Sequence, residues 1–175
     1  MKTGIYGGSF NPVHNGHIHL ALTAADEFGL DRVFLVPSKK SPHRSSDEYA
    51  SDEDRLEMLR LACMVSEKLE VCSYELENER ISYSVYTVRH FRKRFPDDEL
   101  FLLIGSDMLL SFDSWFCYEE ILANAGLCVV SRNEGDLEEL RKKGRELEKM
   151  GRIFLSSCPP VEISSTEIRK KIEKK

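Results

Sequence analysis

Short apolar and β-branched runs alternate along the whole chain with longer stretches in which apolar positions recur every three or four residues. The runs predict strands at 2–6, 32–37, 69–72, 99–104, 127–131 and 153–156. The amphipathic stretches predict helices at about 16–28, 52–66, 84–95, 118–125 and 137–150, with a last one starting at Ser165. Regular alternation of the two predicts βαβ units with right-handed crossovers. The expected fold is α/β: a Rossmann-like, doubly wound parallel sheet flanked by helices on both faces.

Boundary residues agree with this reading. Ser51 precedes Asp52, Glu53 and Asp54, an N-cap and an acidic first turn suited to a helix dipole, and Leu56, Leu59 and Cys63 follow at helical spacing. The stretch 38–50 is too long for an ordinary strand-to-helix loop and has the character of a functional one, whereas 133–136 reads as a turn. No internal repeat is visible.

Composition narrows the class. At 175 residues, 41% hydrophobic and 31% charged, the chain has the length of one domain (1–175) and an ordinary globular balance. Five cysteines, odd in number and never paired as C-x-x-C, read as reduced thiols of a cytoplasmic protein. No signal-peptide core or membrane span can be drawn, so no membrane association is expected. The net charge of −5 argues against a general grip on nucleic acid. The basic clusters at 89–94 and 169–175 read as solvated helix faces.

In open parallel sheets ligands bind outside the carboxyl ends of the strands, and the unusual residues fall at those ends. Gly7-Gly8-Ser9-Phe10 follows the first strand and leads through Asn11-Pro12-Val13 to His14-Asn15-Gly16-His17 at a helix start. Glycines that admit close backbone approach, followed by a helix N-terminus, outline a phosphate cradle. The segment is neither a Walker A loop nor a dinucleotide G-x-G-x-x-G fingerprint. His14 and His17, three apart, share a helix face and could serve the same phosphates. With His19 and His43 they offer a metal-binding alternative, but no cysteine or carboxylate stands beside them at ligand spacing. Near the other end, Ser164 and Glu167 form a capping box, while Thr166 and Arg169 share one face of the same helix start, a second anion site. Two anion sites suggest a polyphosphate.

These segments resemble the nucleotidyltransferase superfamily with H-x-G-H and I-S-S-T-x-[I/V]-R signatures, and within it the bacterial nicotinate-nucleotide adenylyltransferases. The similarity extends in order through Pro42-His43-Arg44, Arg55-Leu56-Glu57-Met58-Leu59, Ile81-Ser82-Tyr83-Ser84-Val85-Tyr86-Thr87, Ile104-Gly105-Ser106-Asp107, Trp115 with Glu119-Glu120, and Val129-Val130-Ser131-Arg132. The resemblance implies a fold of the nucleotidyltransferase type and transfer of AMP from ATP to nicotinate mononucleotide, with release of pyrophosphate, in NAD biosynthesis. Mg²⁺ would arrive with ATP. By the same resemblance the ATP-binding residues are Gly8, Ser9, Phe10, His14, Gly16, His17, Gly105, Asp107, Arg132, Ser165, Thr166 and Arg169. His14, His17 and Arg169 are the catalytic group, the histidines at the α and β phosphates and Thr166 with Arg169 at the β and γ phosphates. Asp107 would hold the ribose, with Arg132 near the adenine. Lys39, His43, Arg44, Tyr83, Ser84 and Trp115 would meet the second substrate, the indole stacking on the pyridine ring.

The sequence departs from the pattern in two places. Tyr86 stands where the family has aspartate, and the chain stops soon after Arg169, where relatives continue. The second departure leaves a compact variant, a natural fusion whose second domain was removed, or a paralogue with a changed substrate, and it leaves homo-oligomer contacts open. Two other functions compete: the same chemistry on nicotinamide mononucleotide or phosphopantetheine, and a nucleotide-binding sensor without turnover.

Overall fold

The computed structural model describes residues 1–39, 50–130, 137–156 and 163–174. The elements run β1 (Lys2–Gly8), α1 (Asn15–Glu27), β2 (Arg32–Pro37), α2 (Asp52–Cys63), β3 (Leu69–Val71), α3 (Ser84–Arg94), β4 (Glu99–Gly105) and α4 (Ser106–Leu110). They continue through a short 3₁₀ turn (Phe112–Ser114), α5 (Tyr118–Asn124), β5 (Gly126–Val130), α6 (Leu137–Leu147), β6 (Ile153–Leu155) and α7 (Ser165–Glu173). The six strands form one sheet in the order β3-β2-β1-β4-β5-β6, every pair parallel. This is the doubly wound arrangement expected from the alternation. The strand order reverses between β1 and β4, so the crevice at their carboxyl ends is where a ligand fits.

The period-2 pattern of the strands decides which layer each side chain joins. Ile5, Phe34, Val36, Leu102, Ile104, Leu127 and Val129 face one core layer with Val85, Val88 and Phe91 of α3, Ile121 and Leu122 of α5, and Leu140 of α6. Tyr6, Val33, Leu35, Phe101, Leu103, Cys128 and Val130 face the other, against Leu20, Ala21 and Ala24 of α1 and Leu59 and Cys63 of α2. Burial on both faces explains why these strands read as continuous apolar runs.

Two details differ from the sequence reading. Residues 106–114 hold a five-residue helix and the 3₁₀ turn, pieces too short to show a helical period. The buried face of α2 is Arg55, Leu59 and Cys63, with Leu56 only half-buried, so a charged residue occupies the first core position.

At the amino end of the sheet, Asp98 accepts hydrogen bonds from Thr3 Oγ1 at 2.6 Å, Arg32 Nη2 at 2.9 Å and the chain's first nitrogen at 3.2 Å. The Thr3 hydroxyl, with Arg32 and the amino group, holds its carboxyl at about 2 against an ordinary 3.8. Among the described residues the cysteines are thiols. Burial pushes Cys63 up to about 11 and Cys128 further up. Cys158 lies outside the described residues. Among those described, no helix is long and apolar enough to cross a membrane.

Candidate functional site

β1 ends at Gly8, level with Pro37 at the end of β2, and the chain must then turn into α1 within six residues. Phe10 makes that turn. Its backbone takes the left-handed conformation (φ 44°), which costs a non-glycine residue roughly 1–2 kcal/mol. Its ring is fully buried, edge-on to Tyr6 at 5.4 Å and to His17 at 5.0 Å between centroids. The core packing of that ring offsets the backbone cost. A methyl on Gly8 would stand 3.2 Å from the same ring, while one on Gly7 would meet nothing within 4 Å, so the strand end is packed on one side and open on the other.

His14 caps α1 in an extended conformation and His17 is its third residue. The rings stack with centroids 3.7 Å apart and planes 26° from parallel. The His14 backbone N–H donates to His17 Nδ1 at 3.2 Å. That bond makes Nδ1 an acceptor, so in the neutral ring Nε2 carries the hydrogen and is the donor. The expected pairing of two imidazoles at a helix start is therefore built, with one of them set in a defined tautomer.

The start of α7 lies against this loop. Ser164 caps the helix, accepting from the Glu167 N–H at 3.2 Å, while Glu167 accepts in return from the Ser164 N–H at 3.2 Å. Ser165 Oγ donates to the Pro12 carbonyl at 2.8 Å, and Arg169 Nη1 donates to the Asn11 carbonyl at 2.7 Å. Arg169 Nη2 reaches Thr166 Oγ1 at 3.3 Å. Ile163 and Gly16 are in such close contact that a methyl on Gly16 would lie 2.6 Å from Ile163 Cγ2. Residues 153 and 158 positions apart in the chain thus build one wall: two histidines, two helix N-termini, a threonine hydroxyl and a guanidinium. Their donors suit a row of phosphate oxygens.

Gly105 ends β4 and caps α4, placing exposed Asp107 at the same end of the sheet as Gly8. Tyr83 caps α3 and Ser84 is its first residue, both half-buried. The Tyr83 ring lies 4.9 Å from that of Phe116, which is 48% exposed, and 6.2 Å from that of Tyr86. Trp115 turns toward Phe112 (centroids 5.0 Å), so the half-exposed ring standing beside Tyr83 is that of Phe116. Sequence reasoning missed Phe116; its one signal is a second aromatic next to the only tryptophan. Beneath this segment, buried Glu75 accepts from Thr87 Oγ1 at 2.5 Å, and burial holds its carboxyl above the ordinary range despite the Thr87 and Ser82 hydroxyls.

Lys39 does not point its charge into solvent. Its Nζ is 2.7 Å from Asp52 and 3.4 Å from Glu79, and its backbone N–H donates to Ser82 Oγ at 3.1 Å. The hydrogen bond and charge of Asp52 raise the lysine's pKa; on Asp52 itself, burial raises the pKa but the bonds and charges of Lys39 and Arg55 outweigh it and lower it. His43, Arg44 and Arg132, expected at the two substrates, lie outside the described residues. Among the described residues no group of three histidines, cysteines or carboxylates is placed to hold a metal; His43, the fourth histidine of the metal-binding alternative, lies outside them.

The cytidylyltransferase-like family model matches residues 5–171. A probable nicotinate-nucleotide adenylyltransferase of Clostridium novyi is 36% identical over 174 residues, spanning 98% of this chain and 87% of that protein. One from Aquifex aeolicus is 40% identical over 167 residues, spanning 93% of this chain and 98% of its own. The solved nicotinic acid mononucleotide adenylyltransferase of Plasmodium falciparum, complexed with NaAD, superposes with a TM-score of 0.76 at 20% identity, over 97% of this chain and 82% of that one. At that identity the likeness speaks for the fold. With near-complete coverage by sequence and by architecture, the chain belongs to the nicotinate-nucleotide adenylyltransferases of the cytidylyltransferase-like family.

Proposed function

We propose that the chain carries out the reaction of its family, transfer of AMP from ATP to nicotinate mononucleotide, with the labour divided as follows. A phosphate oxygen of the mononucleotide attacks the α-phosphorus of ATP in line. The bond from that phosphorus to the α–β bridging oxygen breaks, and pyrophosphate leaves with the electron pair. No protein nucleophile is needed, and negative charge spreads over the transferring and departing groups.

His17 Nε2–H and His14 serve the α and β phosphates, and Thr166 with Arg169 serves the β and γ phosphates. The Gly8–Phe10 backbone, Gly16, Ser165 and Gly105 shape the ATP cleft, and Asp107 takes the ribose. Tyr83, Ser84 and Trp115 form the surroundings of the mononucleotide, where Lys39 contributes through the Ser82 segment it anchors. His43, Arg44 and Arg132 retain the roles the family pattern suggests. Mg²⁺ enters as part of the MgATP substrate, since the wall is made of donors and cations rather than carboxylates; bound there it would neutralise phosphate charge. The observation that carries the reading is the docking of α7 on the β1–α1 loop through Ser165 and Arg169.

Pyrophosphate release measured with ATP, Mg²⁺ and, in turn, nicotinate mononucleotide, nicotinamide mononucleotide and phosphopantetheine tests it. Turnover greatest with the nicotinate acceptor is expected; preference for another acceptor, or ATP binding without turnover, overturns it. His17→Ala should lower kcat by roughly 10²- to 10³-fold, the usual loss for one oriented donor to a transition state. A near-normal rate would show that the ring only caps α1.

A further inference from the structure

Among the described residues Arg55 is the largest fully buried side chain, and it lies on the core face of α2 in line with Leu59 and Cys63. Burying a guanidinium is expensive unless each bond it makes is good, and an aliphatic residue would pack this face of the helix more cheaply. What the arginine adds is reach and a two-pronged fork. Nη1 donates to the Ser9 carbonyl at 2.7 Å, and Nη2 donates to Asp52 Oδ1 at 2.6 Å. The other oxygen of Asp52 is taken by Lys39 Nζ at 2.7 Å. The backbone N–H of Ala50, just ahead of α2, donates to the Asn11 side-chain oxygen at 3.0 Å. Asn11 is itself buried and lends its carbonyl to Arg169. The first turn of α2, through Arg55, and Ala50 just ahead of it thus hold the β1–α1 loop at two points, Ser9 and Asn11, flanking the strained Phe10.

We propose that Arg55 and Asp52 are a positioning pair for the nucleotide: they fix the Ser9 carbonyl so that the Gly8–Phe10 backbone stays turned toward the phosphates. Neither residue touches substrate. The inference rests on the ATP site described above but not on the identity of the acceptor. The acceptor side is served independently, because Lys39 keeps Glu79 as a second carboxylate and its backbone bond to Ser82 when Asp52 is neutralised.

The test uses Asp52→Asn and Arg55→Lys in the full chain, with Arg55→Met as the harsher variant. A lysine cannot bridge Ser9 and Asp52 together, and an asparagine loses the charge that anchors the fork. Both should weaken MgATP binding about tenfold, the difference between a charge-assisted and an ordinary hydrogen bond, read as KM for MgATP and as Kd by titration calorimetry. KM for the acceptor should change less than twofold. Lower melting temperatures with unchanged KM and Kd for MgATP would show that the pair only stabilises the core. Equal rises in both KM values would show that it does not act on the nucleotide loop. If Arg55→Met fails to fold, the two milder variants decide. If the wild type turns over none of the acceptors, the proposed reaction fails, yet the MgATP Kd series still tests the pair.

Discussion

Gly16→Ala is the sharpest probe of the site, because Gly16 lies where the two ends of the chain touch. A methyl there would stand 2.6 Å from Ile163 Cγ2 and 3.1 Å from the His14 ring, against an ordinary contact beginning at 3.4 Å. The obstructing carbon is bonded directly to Cβ of a branched side chain, so no rotation of a flexible end relieves it. Ile163 and the start of α7 must retreat by about 0.8 Å, and Arg169 with them, since it is held to the Asn11 carbonyl at 2.7 Å. Alanine is otherwise favoured over glycine in a helix by up to about 1 kcal/mol, and overpacking costs typically about 1–3 kcal/mol. The net loss of stability is therefore small, on the order of 0–2 kcal/mol. If these groups hold the phosphates as proposed, displacing them by nearly an ångström costs up to about 10²-fold in rate. Urea unfolding should thus report a minor change while pyrophosphate release falls roughly 10- to 100-fold. Gly16→Ala/Ile163→Ala, which removes the obstructing carbon, should recover most of the rate. An unimpaired single variant, or a double variant no better than the single, would refute the contact between α1 and α7 as the basis of the site.

Trp115→Ala should raise KM for the pyridine nucleotide while sparing that for ATP; because the indole packs on Phe112, a drop in melting temperature is expected alongside. Equal weakening of both substrates would assign the indole to packing alone. Asp98, held at about 2 in the folded chain against 3.8 ordinarily, contributes stability that is present above pH 3.8 and lost as pH falls toward about 2. The stability gap between wild type and Asp98→Asn, followed by urea unfolding, should therefore close over that acid range. A gap that persists unchanged at pH 2 would contradict the ion cluster with Thr3, Arg32 and the amino group.

Hydrophobic periodicity was enough to place all six strands and the longer helices, because an all-parallel sheet buried on both faces leaves uninterrupted apolar runs such as Leu100 to Ile104. It was blind to 106–114, where no element lasts two turns. Glycines and paired histidines at a strand-to-helix junction pointed to the place where the two helix starts meet, which is the site proposed for the phosphates, since few structural needs combine those residues there. Arg55 was different: a hydropathy pattern counts a charge as solvent-facing, so the residue that fastens Ser9 from within the core was passed over for Leu56. The orientation of Trp115 was likewise invisible, because it depends on Phe112 in the unrecognised 3₁₀ turn.

The last helix has a thin foundation. Of α7 only Ser165 is buried, and Ile172 is 65% exposed, so what fastens it is a handful of polar bonds from its first turn. Such an element opens far more cheaply than a central strand and exchanges its amides accordingly. The register of α7 on the β1–α1 loop therefore hangs on two side chains, Ser165 and Arg169, rather than on an apolar seam along the helix.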